Sequence, residues 1–135
     1  MTKKTSLLSS IKGATAIEFA LVAPALIALI MGIAQLGLIF FASAGLHNAV
    51  AQGARRATLH PRPDASQVAA SVSAAKFGLD SAKLSTPTVT YNTTASPNYA
   101  DVQMSYTTNL NFIVFQSPIT LTQSRRVYLQ SLPQT

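Results

Sequence analysis

An uninterrupted apolar run is the feature that most restricts what this chain can fold into. Phe19–Ala42 contains no charged residue, and Gln35 is its only strongly polar side chain. The run is 24 residues long, whereas a helix needs roughly 20 residues to cross the hydrocarbon core of a bilayer. Glu18 lies directly before it, where a carboxylate is costly to insert into lipid. We therefore expect a membrane span over residues 19–42 and a glutamate that something other than lipid uses.

Composition leaves room for one small domain beside this span and argues against several function classes. The chain has 135 residues, no cysteine and a formal net charge of +6. Three of the positive charges precede the apolar run, and the rest lack interleaved aromatic residues, so nucleic-acid binding is not favoured. His47 and His60 have no second carboxylate or thiolate at ligand spacing, and no Gly-x-Ser-x-Gly segment occurs. We expect no metal, no cofactor and no enzymatic activity.

The helical pattern continues beyond the apolar run. Apolar residues recur there every three or four positions, with polar residues on the other faces. These residues are Leu46, Val50, Ala54 and Ala57. The pattern predicts one helix over residues 14–58, about 65 Å long and amphipathic in its outer half. The prolines at 61 and 63 end it, so residues 59–63 are predicted to be a linker.

Three small residues recur on one face of the predicted span. Ala25, Ala28 and Gly32 fall at positions i, i+3 and i+7, which would let a second helix approach closely. Gly and Ala are also common in lipid-facing helices, so the spacing by itself leaves both interpretations open. Pro24 removes one backbone hydrogen bond nearby and can kink the helix.

Residues 64–135 are predicted to form a small α+β head domain. Asp64 and Gln67 have the spacing of a capping box at the start of a short helix, and Gly78 is a natural stop after it. Beyond Ser85 apolar residues alternate with polar ones, and Pro-containing turns separate the runs. We expect an antiparallel meander of three to four strands with one face covered by helices.

The flanking charges indicate how the span is oriented. Lysines 3, 4 and 12 lie close before the apolar run, whereas the arginines on the far side begin at Arg55. The positive-inside rule therefore favours a cytoplasmic N-terminus, with the head on the opposite side of the membrane. The Ala-Ser-Ala segment at 42–44 has the form of a signal-peptidase site, but signal-peptide cores are only about 7–15 residues long. A cleaved signal peptide is the less favoured interpretation.

Two segments of the chain together resemble a known family. Gly13–Pro24 contains a Gly-x-x-x-x-Glu-Phe core, and Asn48–Ala57 contains a later Gly-Ala-Arg. Over roughly residues 11–58 the chain resembles the TadE-like family, whose members are minor pilins or pseudopilins of the tight-adherence (Tad/Flp) type IV pilus system. The resemblance implies that a prepilin peptidase removes the basic leader, residues 1–13.

The resemblance assigns roles to four residues at the start of the span. Cleavage would fall between Gly13 and Ala14 on the cytoplasmic face, with Gly13 opening the helix there. Glu18 would then be the fifth mature residue and Phe19 the sixth. A neighbouring subunit's new N-terminal amine could pair with the Glu18 carboxylate and set the axial register between helices. The other interpretation is a carboxylate solvated by lipid head groups.

On this resemblance the protein is a non-enzymatic minor pilin that acts in pilus assembly or priming through helix–helix packing. Its partners would be the prepilin peptidase, other pilins of the system, the inner-membrane assembly machinery and the lipid bilayer. It would be a single-pass protein of the bacterial inner membrane, or part of an extracellular pilus once assembled. The alternative is an uncleaved bitopic envelope protein whose periplasmic head binds a ligand or partner.

Overall fold

The computed structural model describes residues 7–111 and 116–130, with side chains from residue 14 onward. Two helices, one 3₁₀ turn and three strands follow one another in that part of the chain. They are α1 (Leu7–Ala57), α2 (Ala65–Ala74), the 3₁₀ turn (Ser81–Lys83), β1 (Thr88–Asn92), β2 (Tyr99–Asn111) and β3 (Gln116–Tyr128). The predicted α+β class is confirmed. Residues 1–6, which belong to the predicted leader, and most of the apolar run Leu110–Phe115 lie outside the described residues.

Helix α1 begins earlier than its sequence predicted. It starts at Leu7 and has 51 residues, which corresponds to about 76 Å. Gly13 lies inside it, so the expected opening of the helix at this glycine is wrong. A single interior glycine costs only about 1 kcal/mol relative to alanine, and the turns on both sides hold it in helical conformation. The helix also continues through Pro24.

The sheet is a short antiparallel meander in the order β1-β2-β3. Its central strand β2 pairs with β1 over residues 99–103 and with β3 along its whole length. Alternate β2 residues face the helices and are buried, while the residues between them face outward. The buried set is Ala100, Val102, Met104 and Tyr106.

The hydrophobic core joins the outer end of α1 to α2 and the sheet. On α1 it uses the four apolar residues that the 3.6-residue period predicted, together with Ala42 and Ala49. It continues through Val68 and Val72 of α2 into the buried row of β2. Residues 42–57 therefore belong to the head, and residues 59–63 connect two parts of one core rather than separating two units.

Helix α2 starts as predicted, and its predicted stop lies beyond its end. The Asp64 backbone N–H donates to Oε1 of Gln67 at 3.2 Å. The helix ends at Ala74, four residues before Gly78. Gly78 has a positive φ of 64°, and a Cβ there would lie 2.1 Å from Cε1 of Phe41. Glycine at 78 thus lets the chain turn directly against the Phe41 ring.

Candidate helix-packing surface

The N-terminal part of α1 projects from the head with its apolar side chains uncovered. Residues 14–41 are almost all exposed, and Phe19 has 71% of its surface accessible. In the most apolar 18-residue window of the helix the mean hydropathy is 2.4 and 6% of the window is buried. Among the described residues, α1 is the one helix long and apolar enough to cross a membrane.

The residues at the predicted cleavage site lie in regular helix. Gly13 and Ala14 both have helical backbone, so the bond between them is not presented as an extended segment. Glu18 is exposed, and within the described part of the chain it makes no hydrogen bond or ion pair. The structure of one copy therefore leaves the carboxylate available to a partner.

Glu18 shares a helical face with the small-residue positions. Positions 18, 25 and 32 are seven residues apart, which is close to two turns at about 3.6 residues per turn. Ala25 and Ala28 are exposed, and a Cβ built on Gly32 would have nothing within 4 Å. The structure thus brings Glu18, Ala25, Ala28 and Gly32 onto one open face of α1, which we call the small-residue face.

The head lies over the same side of α1. Ala28 is eighteen residues from Leu46, and Gly32 is eighteen from Val50; both separations are about five turns. Leu46 and Val50 are buried in the head core. A second helix on the small-residue face therefore has to fit beneath the head.

The described end of β2 lies against the apolar run of α1. Nε2 of Gln35 donates a hydrogen bond to the backbone oxygen of Asn111, the last described residue of β2. Gln35 lies only three residues, or about 4.5 Å of helix, above Gly32. The one strongly polar side chain of the apolar run is thus bound by the protein's own head.

Two glycines in the outer half of α1 were not given a role from sequence. A Cβ on Gly53 would lie 2.2 Å from Cγ2 of Val72, and one on Gly45 would lie 2.1 Å from the backbone oxygen of Phe77. Both glycines let α2 and the chain after it pack directly on the α1 backbone. Their eight-residue spacing on an otherwise apolar face was the sequence signal for this close approach.

The outer face of the sheet is polar and its groups pair with one another. Nε and Nη2 of Arg126 donate to the two carboxylate oxygens of Asp101, each at 2.8 Å. The Arg126 guanidinium also lies 4.0 Å from the centre of the Tyr99 ring. The hydrogen bond from Arg126 lowers the pKa of Asp101, and the same contact raises the pKa of Arg126. Arg126, one of the two adjacent arginines of β3, therefore has a structural role within the sheet.

The described residues bring few metal-ligating groups together. Within residues 7–111 and 116–130, no cluster of three or more His, Asp or Glu side chains has the proximity needed to hold a metal ion. His47 instead contacts β3, where its Nδ1 lies 3.0 Å from Nε2 of Gln123.

Comparison with known proteins singles out the long helix. Residues 13–55 match the TadE-like protein family. The match begins at the glycine before the predicted cleavage bond and ends at Arg55, two residues before the end of α1. No curated protein and no solved structure matches the chain.

The TadE-like segment confirms the resemblance carried by the sequence. It contains the whole uncovered part of α1 and most of the part buried in the head, whereas α2 and the sheet lie outside it. The match indicates a protein associated with the Tad pilus system, and the apolar helix fits a single-pass membrane protein of that system.

Proposed function

We propose that this protein is a minor pilin (pseudopilin) of a tight-adherence type IV pilus. A prepilin peptidase removes the leader after Gly13, and the mature protein acts in pilus assembly or priming through helix–helix packing rather than catalysis. One observation carries the proposal: the TadE-like match contains the apolar part of α1 that the protein's own head leaves uncovered.

The exposed apolar surface of α1 has to be covered by something other than water. Burial of apolar surface contributes about 25 cal/mol per Å², so a helix of this kind is unstable in water and is covered by lipid or by other helices. A pilin uses both environments in turn, first the membrane and then the filament. The small-residue face offers a closely packed contact where a neighbouring helix replaces lipid.

Glu18 places a carboxylate at the N-terminal end of the small-residue face. A charged carboxylate costs about 2.5–3.5 kcal/mol at the bilayer centre and less near an interface. Cleavage after Gly13 creates a free amine on Ala14, and that amine in a neighbouring subunit offsets the cost by pairing with Glu18. Such a pair favours one axial register over its neighbours, as a single polar group does in a coiled coil.

Processing requires the helix to open locally. The Gly13–Ala14 bond is helical in the isolated chain, and a protease acts on extended backbone. Glycine lowers the cost of opening because it is about 1 kcal/mol less favourable than alanine in a helix interior. The peptidase active site selects the opened form, which accounts for a glycine at this position.

The test of processing is the intact mass of the protein from membranes. Co-expression with an active prepilin peptidase is expected to yield a chain that begins at Ala14, while Gly13→Leu keeps the full-length mass under the same conditions. Retention of residues 1–13 in the unsubstituted protein would contradict the proposal. It would favour the uncleaved bitopic envelope protein.

We also propose a location and an orientation for the protein in the inner membrane. The N-terminus faces the cytoplasm and the head faces the periplasm, so protease added to spheroplasts should digest the head but not an N-terminal tag on an uncleaved Gly13→Leu variant. Partners in this setting are the peptidase, other pilins and the inner-membrane assembly machinery. Digestion of the tag with protection of the head would show the opposite topology.

A further inference from the structure

The end of the head that lies nearest the uncovered part of α1 forms a distinct face. Helix α2 runs back along α1, since Nδ2 of Asn48 donates to the Ala75 oxygen at 2.9 Å. The chain then passes Gly45 and reaches Phe41, whose ring centre is 5.7 Å from that of Phe77. The loop after α2 thus lies at the level where α1 leaves the head.

The described end of β2 reaches Gln35, six residues or about 9 Å further toward the N-terminus of α1 than Phe41. The Gln35–Asn111 hydrogen bond holds the end of β2 beside the apolar run. The opposite end of the sheet, where Tyr99 pairs with Tyr128, is twelve residue steps away along β2, or roughly 40 Å at about 3.4 Å per residue. The sheet therefore stands with one end toward the apolar helix and the other far from it.

The composition of this end matches a membrane interface. Phe41 and Phe77 pack edge to face, yet 52% and 45% of their surfaces are exposed. Lys76 adjoins Phe77 and donates from Nζ to Oγ of Ser81 at 2.9 Å. Exposed Phe and Leu side chains bury at the boundary between head groups and acyl chains, and lysine side chains beside them extend toward the head groups. Leu110 lines one cleft with Gln35, Phe41 and Gly78. We call Phe41, Lys76, Phe77 and Leu110 the proximal face.

Helix length sets where the bilayer meets this face. Gln35 follows Glu18 by seventeen residues, or about 26 Å of helix, whereas the hydrocarbon core is about 30 Å thick. If Glu18 lies at one boundary, the level of Gln35 falls at or just inside the other. The head bound to Gln35 then contacts lipid.

We propose that the proximal face lies in the head-group region of the bilayer that α1 spans. Phe41 and Phe77 lie at the acyl boundary, and Lys76 lies among the lipid phosphates. The contact holds the head upright, with the Tyr99–Tyr128 end of the sheet directed away from the membrane. This inference rests on the proposed membrane-spanning role of α1 and adds a lipid contact that the span alone does not require.

The chain contains no tryptophan, so a single introduced one reports on its own position. Three variants of the full-length protein are reconstituted into vesicles that contain lipids brominated at defined depths. Phe77→Trp tests the proximal face, Ile30→Trp reports on the span, and Tyr128→Trp is the matched exposed aromatic at the far end. Circular dichroism checks that each variant keeps the native spectrum. If the spectrum of Phe77→Trp differs from the native one, Leu110→Trp is used in its place.

The expected result is a graded depth. Ile30→Trp is quenched most by deep bromines, Phe77→Trp most by shallow bromines with blue-shifted emission, and Tyr128→Trp by neither. If Ile30→Trp is quenched while Phe77→Trp behaves as Tyr128→Trp does, the lipid contact is wrong and the span stands. If Ile30→Trp is not quenched by bromine at any depth, α1 does not span the bilayer. A blue shift of Phe77→Trp that depends on protein density, without bromine quenching, would assign the face to a second copy and overturn the proposal.

Discussion

Gly53 of α1 lies directly against Val72 of α2, so that a methyl group at position 53 would come within 2.2 Å of Cγ2 of Val72. Val102 of the sheet is 3.2 Å from the same point. The glycine therefore lies where α1, α2 and β2 meet. It belongs to the Gly-Ala-Arg segment that carried the family resemblance, and its packing gives that segment a structural reason.

Gly53→Ala is expected to destabilise the head. Overpacking of a filled core costs about 1–3 kcal/mol, and the gain of about 1 kcal/mol in helix propensity offsets part of it. Thermal unfolding followed by the near-ultraviolet signal of the tyrosines should show a Tm lower by several degrees. Gly37→Ala is the control, because nothing lies within 4 Å of its Cβ position. Equal Tm values for the two variants would show that Gly53 is not packed as described.

Glu18→Ala is expected to separate processing from assembly. The substitution leaves Gly13 and Ala14 intact, so cleavage should proceed, whereas loss of the carboxylate removes the proposed partner of the neighbouring amine. Mature mass and surface pili are measured in the same cells. A loss of about 1.4 kcal/mol per contact corresponds to a tenfold change in an equilibrium constant. We therefore expect piliation to fall tenfold or more. Glu18→Gln tests whether charge or shape matters, and unchanged piliation in both variants would refute the pairing.

A photoreactive residue at Ala28 is expected to capture another helix of the pilus system. Ala28 lies on the small-residue face, and Ile30 lies about 200° further around the helix, on the opposite side. Ile30 is exposed in the structure and provides the matched control. Crosslinks to pilin helices from position 28, and to lipid from position 30, are the expected products. Equal yields of protein crosslinks from both positions would remove the preference for this face.

The Asp101–Arg126 contact is expected to contribute stability that depends on pH. The hydrogen bond from Arg126 lowers the pKa of Asp101 in the folded state, so the folded protein binds protons less readily than the unfolded chain. The contribution is complete above the unfolded-state pKa of about 3.9 and is lost as pH falls through the lower folded-state value.

Asp101→Asn is the variant that measures this contribution. Its Tm should lie below that of the unsubstituted protein at neutral pH, and the gap should close at acid pH. Asp80→Asn is the control, since an asparagine there can still accept from the Ala82 N–H as Oδ1 of Asp80 does at 3.0 Å. A gap for Asp101→Asn that stays constant down to acid pH would contradict the role of the carboxylate charge.

Local periodicity was sufficient to predict most elements of this fold. The period of 3.6 in the outer half of α1 identified Leu46, Val50, Ala54 and Ala57, and all four are buried. The capping pattern at Asp64 placed the start of α2, and alternation predicted the strands. The start of α1 was placed too late because an interior glycine weakens a helix without ending it.

The tertiary contacts were not predictable because they join positions far apart in the chain. Sequence alone determined that an apolar helix follows a basic N-terminal segment, that Glu18 borders it, and that a small α+β head comes after. Only the tertiary structure decided that residues 42–57 form part of the head, since their burial depends on α2 and β2. It also placed the head over the small-residue face and bound Gln35 to Asn111, 76 residues apart, because the direction in which a helix meets its sheet is set by packing rather than by local pattern.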